Sequence, residues 1–241
     1  MFRTLVRGFS AASLGLALIA NSLVAQESTK PIMPFNGKDL TGWKVKGGPA
    51  KSLWKVGVAK LSATNDRQLT LSAAPSADKA ELVNDKTGDG GADIYTEQKF
   101  GDCTIILEVM VPKGSNSGIY VAGEYEIQVL DSFGKATVGK GDLGGIYEVA
   151  APVKNAAKAP GEWQKFEIVY QAPKFEGDKK IANAKFIKVV LNGVTIHENV
   201  EMVNGVTPTG VTRKEAATGP LMFQGDHGPV AFRNIQIIPK K

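Results

Sequence analysis

Residues 114–131 read GSNSGIYVAGEYEIQVLD, and this stretch decides the fold class. Successive side chains of a β-strand point to opposite faces of the sheet. In the second half of the stretch, Tyr125, Ile127 and Val129 are apolar. The residues that alternate with them are two carboxylates and an amide: Glu124, Glu126 and Gln128. The alternation predicts a strand with one face in the core and one polar face.

Strand patterns dominate the rest of the chain. Stretches rich in β-branched and aromatic residues occupy residues 104–111, 118–123, 125–131, 166–172, 186–200 and 230–238. Residues 73–84 could hold a short helix, but no segment has a sustained helical period. Many short strands with almost no helix predict one all-β domain, a jelly-roll β-sandwich.

One hairpin can be set in register from its turn. Asn192-Gly193 is a preferred pair for a two-residue type I′ turn, because both central residues need positive φ. Leu191 then pairs with Val194, Val189 pairs with Ile196, and Lys188 falls opposite His197. This register predicts that His197 lies on the surface and has no catalytic role.

The N-terminal residues are predicted to be a signal peptide. Arg3 and Arg7 precede a mostly apolar run that ends in small residues, and cleavage is expected after Ala25. The run is too short and too interrupted to predict a transmembrane helix, so the mature chain should have no integral membrane segment. We therefore divide the chain into a signal peptide (1–25), a linker (26–34) and one domain (35–241). The protein is expected to be exported to the periplasm or secreted from a bacterium.

Charge and cysteine content exclude several classes of function. The formal charge is +5, and loss of residues 1–25 removes Arg3 and Arg7 and leaves +3, with scattered lysines that do not indicate a nucleic-acid partner. The single cysteine, Cys103, shares a predicted strand face with apolar residues and should be buried. With two histidines and one cysteine, no structural zinc site is expected and no metal ligands are assigned. Loop carboxylates and carbonyls could hold Ca²⁺, but no spaced acidic motif requires it, so the cofactor is unknown.

Two clusters could carry chemistry. Glu126, Glu124 and Gln128 place two carboxylates and an amide on one strand face, a combination that sugar chemistry commonly uses. The alternative is that this face is only solvated. In the preceding turn, Asn116 would either bond its own backbone or line a sugar site. A second cluster follows a later strand and comprises Gln224, Asp226, His227 and Arg233. There, Asp226 and His227 could form an acid/base pair or only stabilise the turn, and Arg233 could instead pair with an acid across its sheet.

Aromatic side chains could also contact a sugar. Trp43 and Trp54 lie among apolar neighbours and are expected in the core. Trp163 follows a Pro-Gly loop and fits either a core or a stacking role. Tyr147 ends the glycine-rich loop 134–145 and could lie at the rim of a cleft.

Several motifs in order resemble the 3-keto-disaccharide hydrolase family, from about Phe35 to the C-terminus. They are NGKDLTGW (36–43), NSGIYVAGEYEIQVLD (116–131), GGIYEVAAP (144–152), GEWQKFEIVYQ (161–171), VVLNGV (189–194) and GPLMFQGDHGPVAFRNIQI (219–237). The resemblance implies a concanavalin-like jelly roll with a sugar-sized cleft. It also implies action on an oxidised glycoside or disaccharide substrate whose glucose unit carries a ketone at C3.

A fainter resemblance bears on the roles of residues. Retaining glycosidases of this shape carry E-x-D-x-x-E, and the matching residues here are Glu126, Gln128 and Asp131. An amide replaces the middle carboxylate, and only a bulge would bring Glu126 and Asp131 to one face, which argues against ordinary displacement.

For a 3-keto substrate, elimination is the alternative route to hydrolysis. A base removes the C2 proton, the C1 group leaves, and water adds. We assign Glu126 as base and either Asp131 or His227 as acid. Arg233, Gln224 and Asn116 would bind hydroxyls or the enolate oxygen.

Two other functions fit the same pattern. The first is a non-catalytic, lectin-like carbohydrate-binding module, which needs aromatics and amides but no acid/base pair. The second is an extracellular interaction protein, which should expose an apolar patch in place of a polar cleft.

Overall fold

The computed structural model describes Met1, residues 30–85 and residues 90–240. Apart from Met1, the predicted signal peptide lies outside the described residues. The strands in chain order are β1 (Trp43–Val45), β2 (Trp54–Leu61), β3 (Leu69–Ser72), β4 (Glu81–Asn84), β5 (Ile94–Thr96), β6 (Cys103–Met110), β7 (Asn116–Val121), β8 (Tyr125–Leu130), β9 (Gln164–Gln171), β10 (Lys174–Glu176), β11 (Lys179–Ala182), β12 (Lys185–Leu191), β13 (Val194–Glu201), β14 (Met222–Phe223) and β15 (Val230–Pro239).

Within the described residues, the strands form two large antiparallel sheets and one small hairpin. One of the large sheets has five strands in the order β1-β5-β14-β7-β8. The other has eight strands in the order β13-β12-β9-β6-β15-β4-β2-β3, and β10 pairs only with β11. This arrangement confirms the predicted all-β sandwich.

The core lies between the two large sheets and is built from the apolar residues of each alternating strand. The Phe223 ring of the five-stranded sheet stacks on Phe232 of the eight-stranded sheet, with ring centroids 3.8 Å apart. Trp43 and Trp54 are 7% and 6% exposed, as expected for core residues. Cys103 is buried too, and burial raises the pKa of its thiol to about 12. The alternation of apolar and polar residues along the strands therefore predicts correctly which face of each strand lies in the core.

Two local predictions can be compared with the structure. Residues 73–84 hold a short helix, one turn of 3₁₀ helix (Ala77–Lys79), and their last residues form β4. In the β12–β13 hairpin, Asn192 and Gly193 have the positive φ of the expected turn, and Leu191 pairs with Val194.

The predicted surface position of His197 is wrong. A register shift in the β12–β13 hairpin leaves Ile196 unpaired and places His197 opposite Val189. His197 is only 3% exposed, and its Nε2 lies 2.8 Å from the Gly144 carbonyl oxygen. Burial lowers the pKa of this imidazole.

Part of the predicted linker joins the sandwich. Ile32 forms an isolated antiparallel bridge with Ile237 of β15. In the chain segments that the structure describes, no helix has the length and apolar character needed to cross a membrane.

Candidate active site

The site lies on the face of the five-stranded sheet that points away from the core, here called the outer face. In β7 and β8, Tyr120 is directly opposite Glu126, and Met222 of β14 is opposite Tyr120. An isolated bridge between Ile127 and Ile146 places Tyr147 beside Glu126, and the Tyr147 N–H donates to the Glu126 carbonyl oxygen at 3.0 Å. One row of side chains thus crosses the sheet, with Glu126 near its end.

Gly118 makes room for the Glu126 carboxyl group. Gly118 lies opposite Gln128, in the next row of the outer face. A Cβ atom at Gly118 would be 2.5 Å from Glu126 Oε1 and 2.8 Å from Tyr120 Cε2. The carboxyl group and the phenol ring therefore fill the space that a side chain at residue 118 would occupy.

Glu126 is buried, and its carboxyl group has an unusual acidity. Burial raises the pKa of Glu126 to about 7, because the charged form loses hydration. The nearby Tyr120 hydroxyl and the charge of His227 lower this pKa, while Asp93 and Asp226 raise it further. A carboxyl group with a pKa near neutrality is suited to act as a general base or acid.

A segment from the distant end of the sequence covers this part of the sheet. Residues 205–216, the covering segment, contact the site through threonine hydroxyls. The Glu126 N–H donates to Thr207 Oγ1 at 3.0 Å, and Thr209 Oγ1 shares a short hydrogen bond with the Tyr120 hydroxyl. The Lys46 ammonium donates to the Thr209 carbonyl oxygen at 2.9 Å and pairs with Asp93 at 3.1 Å. These contacts fix Tyr120 and the backbone of Glu126.

Three amide side chains, those of Asn116, Gln128 and Gln224, lie on the outer face in the rows next to the Glu126 carboxyl group. Gln128 Nε2 donates to Asn116 Oδ1 at 2.6 Å, so these two predicted binding residues act as one unit. Gln224 lies opposite Gly118 in the sheet, since its N–H donates to the Gly118 carbonyl oxygen. Its Oε1 atom is buried and has no hydrogen-bond partner among the described residues. That atom can accept a hydrogen bond from a sugar hydroxyl.

Asp226 and His227 stand at the rim of the site. Both side chains are about half exposed, and His227 Nδ1 contacts Asp226 Oδ1 in a short hydrogen bond. The loop that carries them is anchored, because the Gly225 N–H donates to Asp93 Oδ1 at 3.1 Å. Both charges act on the pKa of Glu126, so the structure brings Gln224, Asp226 and His227 of the second predicted cluster beside the first, but not Arg233.

Glu124 also lies on the outer face but serves a structural contact. Its Oε1 accepts hydrogen bonds from the N–H and hydroxyl groups of Thr212, both at 2.7 Å. Its Oε2 accepts one from the Arg213 N–H at 2.9 Å. The carboxylate therefore holds the covering segment on the sheet. Its observed role is structural, in place of the predicted contact with substrate.

The structure does not bring Asp131 to Glu126. The β7–β8 register runs without a shift, so the bulge that would place both carboxylates on one face is missing from this pair of strands. Five extended residues span roughly 16 Å. Asp131 instead accepts hydrogen bonds from the N–H groups of Gly114 and Phe133 and closes the turn.

Arg233 and Trp163 belong to the other sheet. Arg233 lies opposite Glu108 in the eight-stranded sheet, and its Nε donates to Glu108 Oε2 at 2.6 Å. The guanidinium lies 4.0 Å above the Trp163 ring and 3.6 Å from buried Glu81. These residues form an ion-pair cluster on the face of that sheet opposite the core, so pairing with an acid across the sheet is the observed role of Arg233.

Sequence reasoning missed Tyr120, Gly118 and Asp93. The first two could have been found, because the apolar residues Ile119 and Val121 place Tyr120 on the polar side of β7. Asp93 and Thr209 come from distant segments and carry no local pattern. Among the described residues, no group of three or more His, Cys, Asp or Glu side chains could hold a metal ion.

A family model for the 3-keto-α-glucoside-1,2-lyase-like domain matches residues 30–238 of the chain. The chain belongs to this family. Among proteins of curated function, none matches the chain significantly.

Solved structures of similar proteins agree with the assignment of the chain to this family. A candidate glycosyl hydrolase from Parabacteroides distasonis is 30% identical, covers 87% of this chain with 83% of its own length, and has a TM-score of 0.65. A second candidate glycosyl hydrolase from that organism is 19% identical, with coverages of 88% and 94% and a TM-score of 0.59, and shows a shared fold. Family and fold together support a hydrolase-like function on carbohydrates.

Proposed function

We propose that this protein cleaves 3-keto-glycosides by elimination followed by hydration. The observation that carries the proposal is Glu126: a buried carboxyl group with a pKa of about 7 on the floor of an amide-lined site. At neutral pH this group exists in both protonation states. It can therefore take a proton from carbon and return it without a large energetic cost.

The chemistry follows from the ketone. A carbonyl at C3 acidifies the C2 proton, so Glu126 can remove it and form an enolate. Collapse of the enolate breaks the bond between C1 and the glycosidic oxygen, which takes up a proton and leaves as an alcohol. Addition of water places a hydroxyl on C1 and a proton on C2, and the net reaction is hydrolysis.

The surrounding residues fit the other tasks of this route. We assign the bonded pair His227 and Asp226, at the rim, to supply the proton that the leaving oxygen needs. The unpartnered Gln224 Oε1 atom and the Asn116–Gln128 pair can bind sugar hydroxyls. The Tyr120 hydroxyl, held by Thr209 beside Glu126, is a donor for the enolate oxygen.

The test is a mass-resolved time course with a 3-keto-glucoside and the matching unoxidised glucoside, with and without a chelator. We expect release of 3-keto-glucose from the oxidised substrate only. In D₂O, one solvent deuteron should appear at C2 of the product. Turnover of the unoxidised glucoside at a similar rate would contradict the elimination route. Saturable sugar binding without turnover would favour a carbohydrate-binding module.

A further inference from the structure

A cavity lies at the end of the β7–β8 hairpin, beside the candidate active site. It has a volume of about 280 Å³ and is lined by Ala122, Pro220 and Tyr95 together with part of the covering segment. Ala122 follows the end of β7 in the turn before Glu124, two residues beyond Tyr120 in the chain. Glu124 lies between the cavity and Glu126, and its carboxylate is bonded to the covering segment. The cavity is therefore a compartment separate from the Glu126 carboxyl group.

Three lysines surround this cavity: Lys44, Lys99 and Lys214. Within the described part of the chain, Lys99 and Lys214 have no carboxylate within ion-pair distance, and both are exposed. Lys44 lies 3.8 Å from Glu97, but both side chains are more than half exposed, so this pair is weak. The Glu124 carboxylate accepts three hydrogen bonds from the covering segment. The cavity is thus lined by three cations and two carboxylates, Glu97 and Glu124, and the second carboxylate is already bonded to the covering segment.

Apolar and aromatic groups make up part of the remaining lining, together with the hydroxyl-bearing side chains of Thr96, Thr212 and Thr218. Pro220 and Ala122 form part of the floor, Val211 belongs to the covering segment, and the partly exposed Tyr95 ring forms a wall. An aromatic face and small apolar groups suit the C–H face of a pyranose ring, while ammonium groups at the mouth suit an anion. We propose that this cavity binds a sugar ring that carries a carboxylate or a phosphate.

This proposal goes beyond the function proposed for Glu126 and does not depend on it. Binding in the cavity requires no ketone and no turnover. A failure of the elimination route would leave the binding result unchanged, and the reverse also holds.

The experiment is calorimetric titration of the purified protein at low ionic strength. The ligands are glucuronate, glucose 6-phosphate, neutral glucose and inorganic phosphate. We expect at least one of the two anionic sugars to bind at least tenfold more tightly than either glucose or phosphate alone. Which one binds distinguishes a carboxylate from a phosphate group. Added salt should weaken this binding, because the lysines are exposed.

A pair of matched variants tests where the anion binds. The double variant Lys99→Gln/Lys214→Gln should weaken binding of the anionic sugar at least tenfold. Lys60→Gln/Lys165→Gln removes two exposed charges from the eight-stranded sheet and should change the affinity less than twofold. Equal binding of neutral glucose, equal loss in the control variant, tight binding of phosphate alone, or no binding of either anionic sugar would each overturn the proposal.

Discussion

Tyr120 and Glu126 lie directly opposite each other on β7 and β8, and the Glu126 carboxyl group occupies the space above Gly118. One short hairpin therefore carries the proposed base, a neighbouring hydroxyl group and, at Gly118, a residue without a side chain. Because hairpin register is fixed locally, the position of the carboxyl group depends on very few residues.

Gly118→Ala should therefore damage activity without unfolding the protein. The new Cβ would lie 2.5 Å from Glu126 Oε1, so the carboxyl group must move. A displacement of about 1 Å can cost roughly 100-fold in rate, and we expect kcat/KM to fall by about that factor. Gly139→Ala is the matched control, because its Cβ would meet nothing closer than 3.7 Å. Unchanged kcat/KM in a folded Gly118→Ala protein would contradict the importance of this space.

Glu126→Gln should slow turnover strongly and stabilise the protein at neutral pH. Its pKa is raised from 4.5 to about 7 in the folded state, so the folded protein keeps this proton while the unfolded chain loses it. Stability from this group therefore falls as pH rises from 4.5 to about 7, and the amide avoids the loss. The variant's advantage in unfolding free energy should grow over this window to roughly 3 kcal/mol.

Urea unfolding at pH 4.5 and pH 8 measures this difference, and a rate assay should show a loss of at least about 100-fold. Glu162→Gln, an exposed site, should match the parent in both experiments. A Glu126→Gln protein that is folded and fully active would remove Glu126 from the role of base.

The rim pair should move the pH profile in opposite directions. The charge of His227 lowers the pKa of Glu126, and the charge of Asp226 raises it. His227→Gln should shift the acidic limb of kcat/KM upward by about half a pH unit, and Asp226→Asn should shift it downward by a similar amount. Because both residues are half exposed, 0.5 M salt should reduce both shifts. Shifts of the same sign would argue against direct electrostatic coupling to Glu126.

The part of this site that the sequence predicts is the part set by the alternation of side chains along a single strand. Strand alternation placed Glu126 and Gln128 away from the core, because side-chain direction depends only on the backbone of that strand. The Thr209 contact with Tyr120 joins residues 89 positions apart and left no trace in either segment. His197 was misplaced because a bulge changes which residues face inward and has no strong sequence signature.

Arg233 shows the same limit and leads to the last prediction. Its closeness in sequence to His227 suggested a shared site, yet β15 crosses into the eight-stranded sheet within those few residues. Arg233→Gln removes the cation that pairs with Glu108 and with buried Glu81. The cost should be about 1–3 kcal/mol of unfolding free energy, since Glu81 then has no cationic partner among the residues that the structure describes.

Activity should survive this change. We expect kcat/KM of Arg233→Gln to stay within about twofold of the parent value at a temperature where both proteins are folded, because a residue remote from the substrate contributes nothing to transition-state binding. Arg67→Gln, which removes an exposed arginine, controls for the loss of charge and should affect neither property. A folded Arg233→Gln protein with a tenfold lower kcat/KM would return Arg233 to the substrate site, and would require substrate to contact the eight-stranded sheet as well.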